Sequence, residues 1–96
     1  MINNLKNKNI IITGATEGLG KFLSIELSKY VSKLILVSRS DKKLNNLIKK
    51  CKNMNQHIIC TVDFDDIKNL KKNLLKHLKF IKKIDAVLHI AGGGLG

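Results

Sequence analysis

Gly14, Gly18 and Gly20 stand at the spacing G-x-x-x-G-x-G, and the chemistry this spacing suits is the holding of a phosphate. They lie in Thr13-Gly14-Ala15-Thr16-Glu17-Gly18-Leu19-Gly20, after the apolar run Ile10-Ile11-Ile12 and before an amphipathic segment. Gly14 permits a tight turn that a Cβ would hinder. Gly18 lets the backbone approach a pyrophosphate, and Gly20 lets the following helix pack close to the strand. A helix starting there aims free N–H groups and its positive dipole end at the anion. The setting, strand before and helix after, separates this pattern from a chance group of glycines. The other common phosphate loop, G-x-x-x-x-G-K-[ST], fails twice. If Gly20-Lys21 ended it, its first glycine would be Ala15 and its magnesium-binding hydroxyl would be Phe22, which argues against an NTPase.

The second strand end decides which ribose such a loop would serve. An acidic side chain there takes the 2′-hydroxyl of NAD, but this chain has Val37-Ser38-Arg39-Ser40. A guanidinium between two hydroxyls suits a 2′-phosphate, because arginine offers it paired donors. The residues therefore favour NADP(H) over NAD(H). Glu17 argues the other way, since a carboxylate in the loop would repel a nearby phosphate.

The elements that must position these residues follow from periodicity. Strand β1 spans about Asn9 to Thr13, helix α1 about Gly18 to Tyr30, and strand β2 Lys33 to Ser38. Leu19, Phe22, Leu23, Leu27 and Tyr30 fall on one expected buried face of α1. Ser40 and Asp41 read as the N-cap and first-turn acid of helix α2, about Asp41 to Lys52, with Leu44, Leu47, Ile48 and Cys51 as its apolar stripe. Strand β3 covers about His57 to Val62, helix α3 begins at Asp65 or Asp66 and runs to about Ile81, and strand β4 covers Ala86 to Ala91. Alternating short apolar strands and amphipathic helices imply a parallel sheet with right-handed crossovers. The fold class expected is α/β, half of a doubly wound (Rossmann) sheet of order 3-2-1-4 with helices on both faces.

Bulk properties narrow the function. The 96 residues suit one domain, residues 1–96, with 44% hydrophobic and 26% charged side chains. The net charge of +11 raises the possibility of a nucleic-acid partner. All but one of the basic residues are lysine, and only Tyr30 and three phenylalanines could stack on bases, which argues against one. Cys51 and Cys60 lack CxxC spacing and read as reduced core thiols of a cytoplasmic protein. Residues 1–9 hold no apolar h-region, and no apolar run approaches membrane-spanning length, so neither a signal peptide nor a membrane partner is expected.

At four places, in order along the chain, the sequence resembles the N-terminal part of the short-chain dehydrogenase/reductase family. Thr13 to Gly20 is similar to that family's T-G-x-x-x-G-x-G loop, and Ser38-Arg39 to the strand-two end of its NADP-preferring members. Asp63 matches the aspartate that hydrogen-bonds the adenine amino group, with Phe64 beside the ring, and Ala91-Gly92 matches the end of the N-N-A-G motif. The resemblance implies cofactor contacts from Gly14, Thr16, Gly18, Leu19, Gly20, Ser38, Arg39, Asp63, Phe64, Ala91 and Gly92. It implies an oxidoreductase acting on a small-molecule carbonyl or alcohol, homo-oligomeric when complete.

Two departures matter. His89-Ile90 replaces the family's paired asparagines, and His89 is expected to be a buried, satisfied histidine rather than a catalytic one. The family's catalytic serine, tyrosine and lysine have no counterpart, since Tyr30-Val31-Ser32-Lys33 has the wrong spacing for Y-x-x-x-K. No residue is therefore assigned a catalytic role, and the expectation is a cofactor-binding part that is inactive alone, with β4 an open sheet edge. The alternatives are a stand-alone NADP(H)-binding regulatory module and, with less support, a basic nucleic-acid-binding domain.

Overall fold

In the computed structural model, residues 5–62, 72, 75–76, 79, 81 and 83–90 are described. Four parallel strands form one sheet in the order β3-β2-β1-β4, as expected. They are β1 (Asn9–Thr13), β2 (Lys33–Ser38), β3 (Ile58–Thr61) and β4 (Ala86–His89). The register sets Ile10 beside Leu34 and Ala86, Ile12 beside Leu36 and Leu88, and Val37 beside Cys60.

The isoleucine run of β1 is apolar at every position because both faces are covered, as parallel strands require. Successive side chains alternate between faces. Ile10 and Ile12 join Leu34 and Leu36 on the face that carries Leu44 and Leu47 of α2 and Cys51 just beyond it. Ile11 joins Ile35, Val37, Cys60 and Val62 on the opposite face, with Ile81 and Ile84 against them. Ile12, Leu34, Leu36 and Leu44 are wholly buried, each contributing on the order of 2 kcal/mol.

Helix α1 (Gly18–Leu27) corrects the expected apolar face. Its buried residues are Gly20 and Ser24, with Ser28 buried at the C-cap, while Leu19 and Phe22 are 59% and 61% exposed. Tyr30 lies beyond the helix and is also exposed. The cause is distance. Glycine and serine at i, i+4 and i+8 let the helix backbone come close, and the serines satisfy their hydroxyls locally. Ser24 Oγ donates to the Gly20 carbonyl at 2.7 Å, and Ser28 Oγ to that of Ile25 at 2.6 Å. Ile25 and Leu27 supply the helix's apolar contact with the core.

Helix α2 (Asp41–Ile48) is capped as expected: Ser40 Oγ accepts from the Lys43 N–H at 3.2 Å, and Asp41 lies in the first turn. Both helices end three or four residues early, and a short 3-10 turn (Met54–Gln56) leads into β3. Strand β3 is also shorter than expected, although Val62 N–H still donates to the Ser38 carbonyl at 2.8 Å. The expected α3 falls almost wholly outside the described residues.

The end of the sheet away from the glycine loop is tied by side chains. His57 is buried, its Nδ1 accepts from Leu34 N–H at 3.0 Å, and its Nε2–H donates to the Lys52 carbonyl at 2.7 Å. Burial pushes its pKa down, opposed by the Lys52 carbonyl and helped by the Lys33 charge. Asp85 Oδ2 accepts from Asn9 N–H at 2.7 Å, which joins β4 to β1 and holds the Asp85 carboxyl below its usual range.

Candidate functional site

The glycine loop leaves β1 at the C-terminal edge of the sheet, where parallel α/β folds place their ligands. Gly14 takes a left-handed φ of 67°, and a Cβ there would run into the Ile90 carbonyl oxygen beyond β4. Gly20 is fixed by another contact: its Cβ would collide with the Gly14 carbonyl. The close approach expected of Gly20 is thus made to the loop's own backbone rather than to the strand. Gly18 differs from both. Its φ of 52° is left-handed, yet among the described residues nothing lies within 4 Å of where its Cβ would point. Gly14 and Gly20 shape the loop, and Gly18 faces open space.

Two further bonds hold the loop to β2. The Ala15 N–H donates to the Val37 carbonyl at 3.3 Å, and the Thr16 and Ser38 hydroxyls meet at 2.9 Å. Thr16 and Ser38, separated by 21 intervening residues in sequence, are therefore joined where the loop passes the end of β2. Arg39, next in the chain, is exposed there.

Glu17 occupies the N-cap position of α1 but its side chain caps nothing. Its carboxylate accepts instead from Lys43 Nζ, in the first turn of α2. That hydrogen bond and the Lys43 charge hold the Glu17 carboxyl below its usual range, with a smaller effect from Arg39. Among the described residues the N–H groups at the start of α1 are left without a side-chain acceptor, and the helix has no acid in its first turn. Lys43 was legible in sequence only as one solvent-facing lysine among many.

The end of β4 flanks the loop on its other side. Thr13 Oγ1 and His89 Nδ1 lie 2.6 Å apart, and Ile90 N–H donates to the Thr13 carbonyl at 3.2 Å. His89 is satisfied, as expected, but it is exposed rather than buried, because it lies on the same exposed face of β4 as Val87. A histidine here hydrogen-bonds β1 directly. Of the expected contacts, Gly14, Thr16, Gly18, Leu19, Gly20, Ser38 and Arg39 gather at this edge. Asp63, Phe64, Ala91 and Gly92 lie outside the described residues. Among the described residues no cluster of histidine, cysteine or acids could hold a metal ion, and no helix is long and apolar enough to cross a membrane.

The family model for short chain dehydrogenase matches residues 8–95. The chain belongs to that family. It is 34% identical over 89 residues to an uncharacterized oxidoreductase of Listeria monocytogenes, an alignment covering 92% of this chain and 36% of the relative. It is 42% identical over 74 residues to the very-long-chain 3-oxoacyl-CoA reductase of Mus musculus, covering 72% of this chain and 23% of that protein. Among solved structures it is similar to an NADH-dependent reductase complexed with NAD, at a TM-score of 0.74 and 28% identity, over 97% of this chain and 39% of the other. A short chain dehydrogenase structure from Pseudomonas syringae shares the fold at a TM-score of 0.82, with 19% identity, over 95% of this chain and 38% of that one. The chain thus spans between about a quarter and two fifths of the length of these relatives.

Proposed function

We propose that residues 1–96 form the cofactor-holding part of an NADP(H)-dependent oxidoreductase that interconverts a small-molecule carbonyl and alcohol. The observation that carries this reading is the open glycine loop at the C-terminal end of β1. There, Gly18 leaves a left-handed loop open in front of the uncapped start of α1, with Arg39 at the mouth. An anion fits such a place, because free N–H donors and the helix dipole favour negative charge. The pyrophosphate would rest on Gly18, Leu19 and Gly20. Thr16 and Ser38 would steady the adenosine side, and Arg39 would pair with a 2′-phosphate. Asp63 and Phe64 would hold the adenine, with Ala91 and Gly92 closing the β4 side.

When bound, the cofactor's nicotinamide supplies or accepts the hydride at its C4 atom. The described residues bind and orient it, and none of them is assigned to proton transfer. The groups that hold the substrate and move its proton belong, in this reading, to a further part of the enzyme, which works as a homo-oligomer. A reducing, cytoplasmic setting is supported by the buried free thiols of Cys51 and Cys60.

The NADP(H) preference has a direct test. Arg39→Asp should turn the preference toward NAD(H), by about tenfold or more for each cofactor, read by fluorescence titration with NADPH and NADH. Unchanged relative affinities would remove Arg39 from the 2′-phosphate role.

A further inference from the structure

We propose that Lys43 is a second specificity-determining residue, held by Glu17 until a 2′-phosphate displaces that carboxylate. The inference rests on the NADP(H) reading above and adds to it a residue and a division of labour.

The geometry begins with a carboxylate in an unusual place. Glu17 stands at the mouth of an anion-binding loop, where its charge would oppose a phosphate. It leaves the start of α1 uncapped and instead bridges to Lys43 of the neighbouring helix. Lys43 is anchored at its backbone, since its N–H is the one that Ser40 caps, while its side chain is 56% exposed. A four-carbon stem on a fixed backbone lets the ammonium re-aim without moving the helix.

The charge balance gives the pair its role. Without ligand, one carboxylate faces two cations, Lys43 hydrogen-bonded to it and Arg39 acting over a longer distance. The mouth is therefore locally positive, yet Lys43 is occupied. A 2′-phosphate brings about −1.5 to −2 charge and three acceptor oxygens, by analogy with other phosphomonoesters. It outcompetes one exposed carboxylate for a lysine that an exposed pair holds only weakly. NAD(H) presents a neutral 2′-hydroxyl at the same point, so Lys43 stays with Glu17. The carboxylate that seemed to argue against NADP(H) becomes the rest position of one of its ligands.

The test uses the full chain, adenosine 2′,5′-bisphosphate and 5′-AMP as probes, and isothermal titration calorimetry. The wild type should prefer the bisphosphate. Lys43→Met should weaken the bisphosphate by about tenfold and leave 5′-AMP unchanged. Glu17→Gln should tighten the bisphosphate by about threefold, and that gain should vanish in the double variant, because Lys43 is what the first change releases. A wild-type preference that Lys43→Met does not reduce overturns the role of Lys43 and leaves the NADP(H) reading standing. A gain from Glu17→Gln that survives in the double variant reduces Glu17 to simple repulsion and overturns its holding role. A wild type that binds both probes equally overturns both readings. Thermal melts of each variant show that the folded protein is what is being titrated.

Discussion

The two strand-to-helix junctions at the C-terminal edge of the sheet solve the same problem in opposite ways. Both must begin a helix, whose first N–H groups have no partner within it. The β2–α2 junction closes itself: Ser40 accepts from Lys43 N–H and Asp41 complements the dipole. The β1–α1 junction does not. Its N-cap residue points its carboxylate at another helix, its first turn carries no acid, and its glycines remove side chains from the approach. One junction closes itself with its own side chains, and in the proposed reading its neighbour is completed by a ligand.

Substitution at the third helical residue should separate the two most strongly. That residue is Gly20 in α1 and Lys43 in α2. Gly20→Val would force a side chain against the Gly14 carbonyl, a backbone atom that cannot move aside. Urea denaturation should show a loss of about 3 kcal/mol, or no folded protein at all. Lys43→Met, on an exposed surface, should stay within about 0.5 kcal/mol of wild type. Comparable losses would mean that the glycine loop is no more tightly constrained than its neighbour.

The opposite end of the sheet serves as a reference that neither junction should influence. His57 is held neutral by burial, with Nδ1 as an acceptor, so its folded pKa lies below the unfolded value. The unfolded chain then binds the extra proton first. The contribution of His57 is complete above about pH 7 and is lost as the pH falls below the ordinary histidine pKa of about 6.5. Melts should lose stability between pH 7 and pH 5, and His57→Gln should flatten that slope. A slope that persists in the variant would assign the effect elsewhere.

Much of this contrast could be read from residue order alone, and the part that could not has identifiable causes. Isoleucine and leucine runs declare buried parallel strands, so sheet order and the position of the loop followed directly. Ser40-Asp41 declares a capped helix because the capping residues are adjacent in sequence. The buried face of α1 was misread because Gly20, Ser24 and Ser28 bury by close approach, which apolar periodicity does not register. The exposure of His89, shared with Val87, depends on what covers that face of β4, a property of the fold. Glu17 and Lys43 are far apart in the chain, and a lysine among 17 carries no mark of its partner.

Gly18 and Ser40 sharpen the contrast at smaller cost, because their expected stability losses are equal and their expected binding effects are not. Gly18→Ala keeps a left-handed φ with a Cβ in open space and should cost about 1 kcal/mol. Ser40→Ala removes a cap and should also cost about 1 kcal/mol. Titration with 5′-AMP should separate them, with Gly18→Ala weakening it and Ser40→Ala leaving it unchanged. Equal binding in both variants would break the division between an open junction and a closed one.

The smallest effect on stability should come from the most charged contact. Glu17 and Lys43 are each more than half exposed, and exposed pairs of this kind contribute little in water and less in salt. Because Lys43 depresses the Glu17 pKa, whatever the pair contributes is present above the ordinary carboxylate range and lost as the pH falls through the lower, folded value. Glu17→Gln should therefore melt with wild-type protein at neutral pH, at both low and high salt. A clear loss of stability that salt abolishes would mean that the pair serves the fold. The junction would then be closed by an ion pair in place of a cap, and the difference between the two junctions would be one of chemistry rather than of purpose.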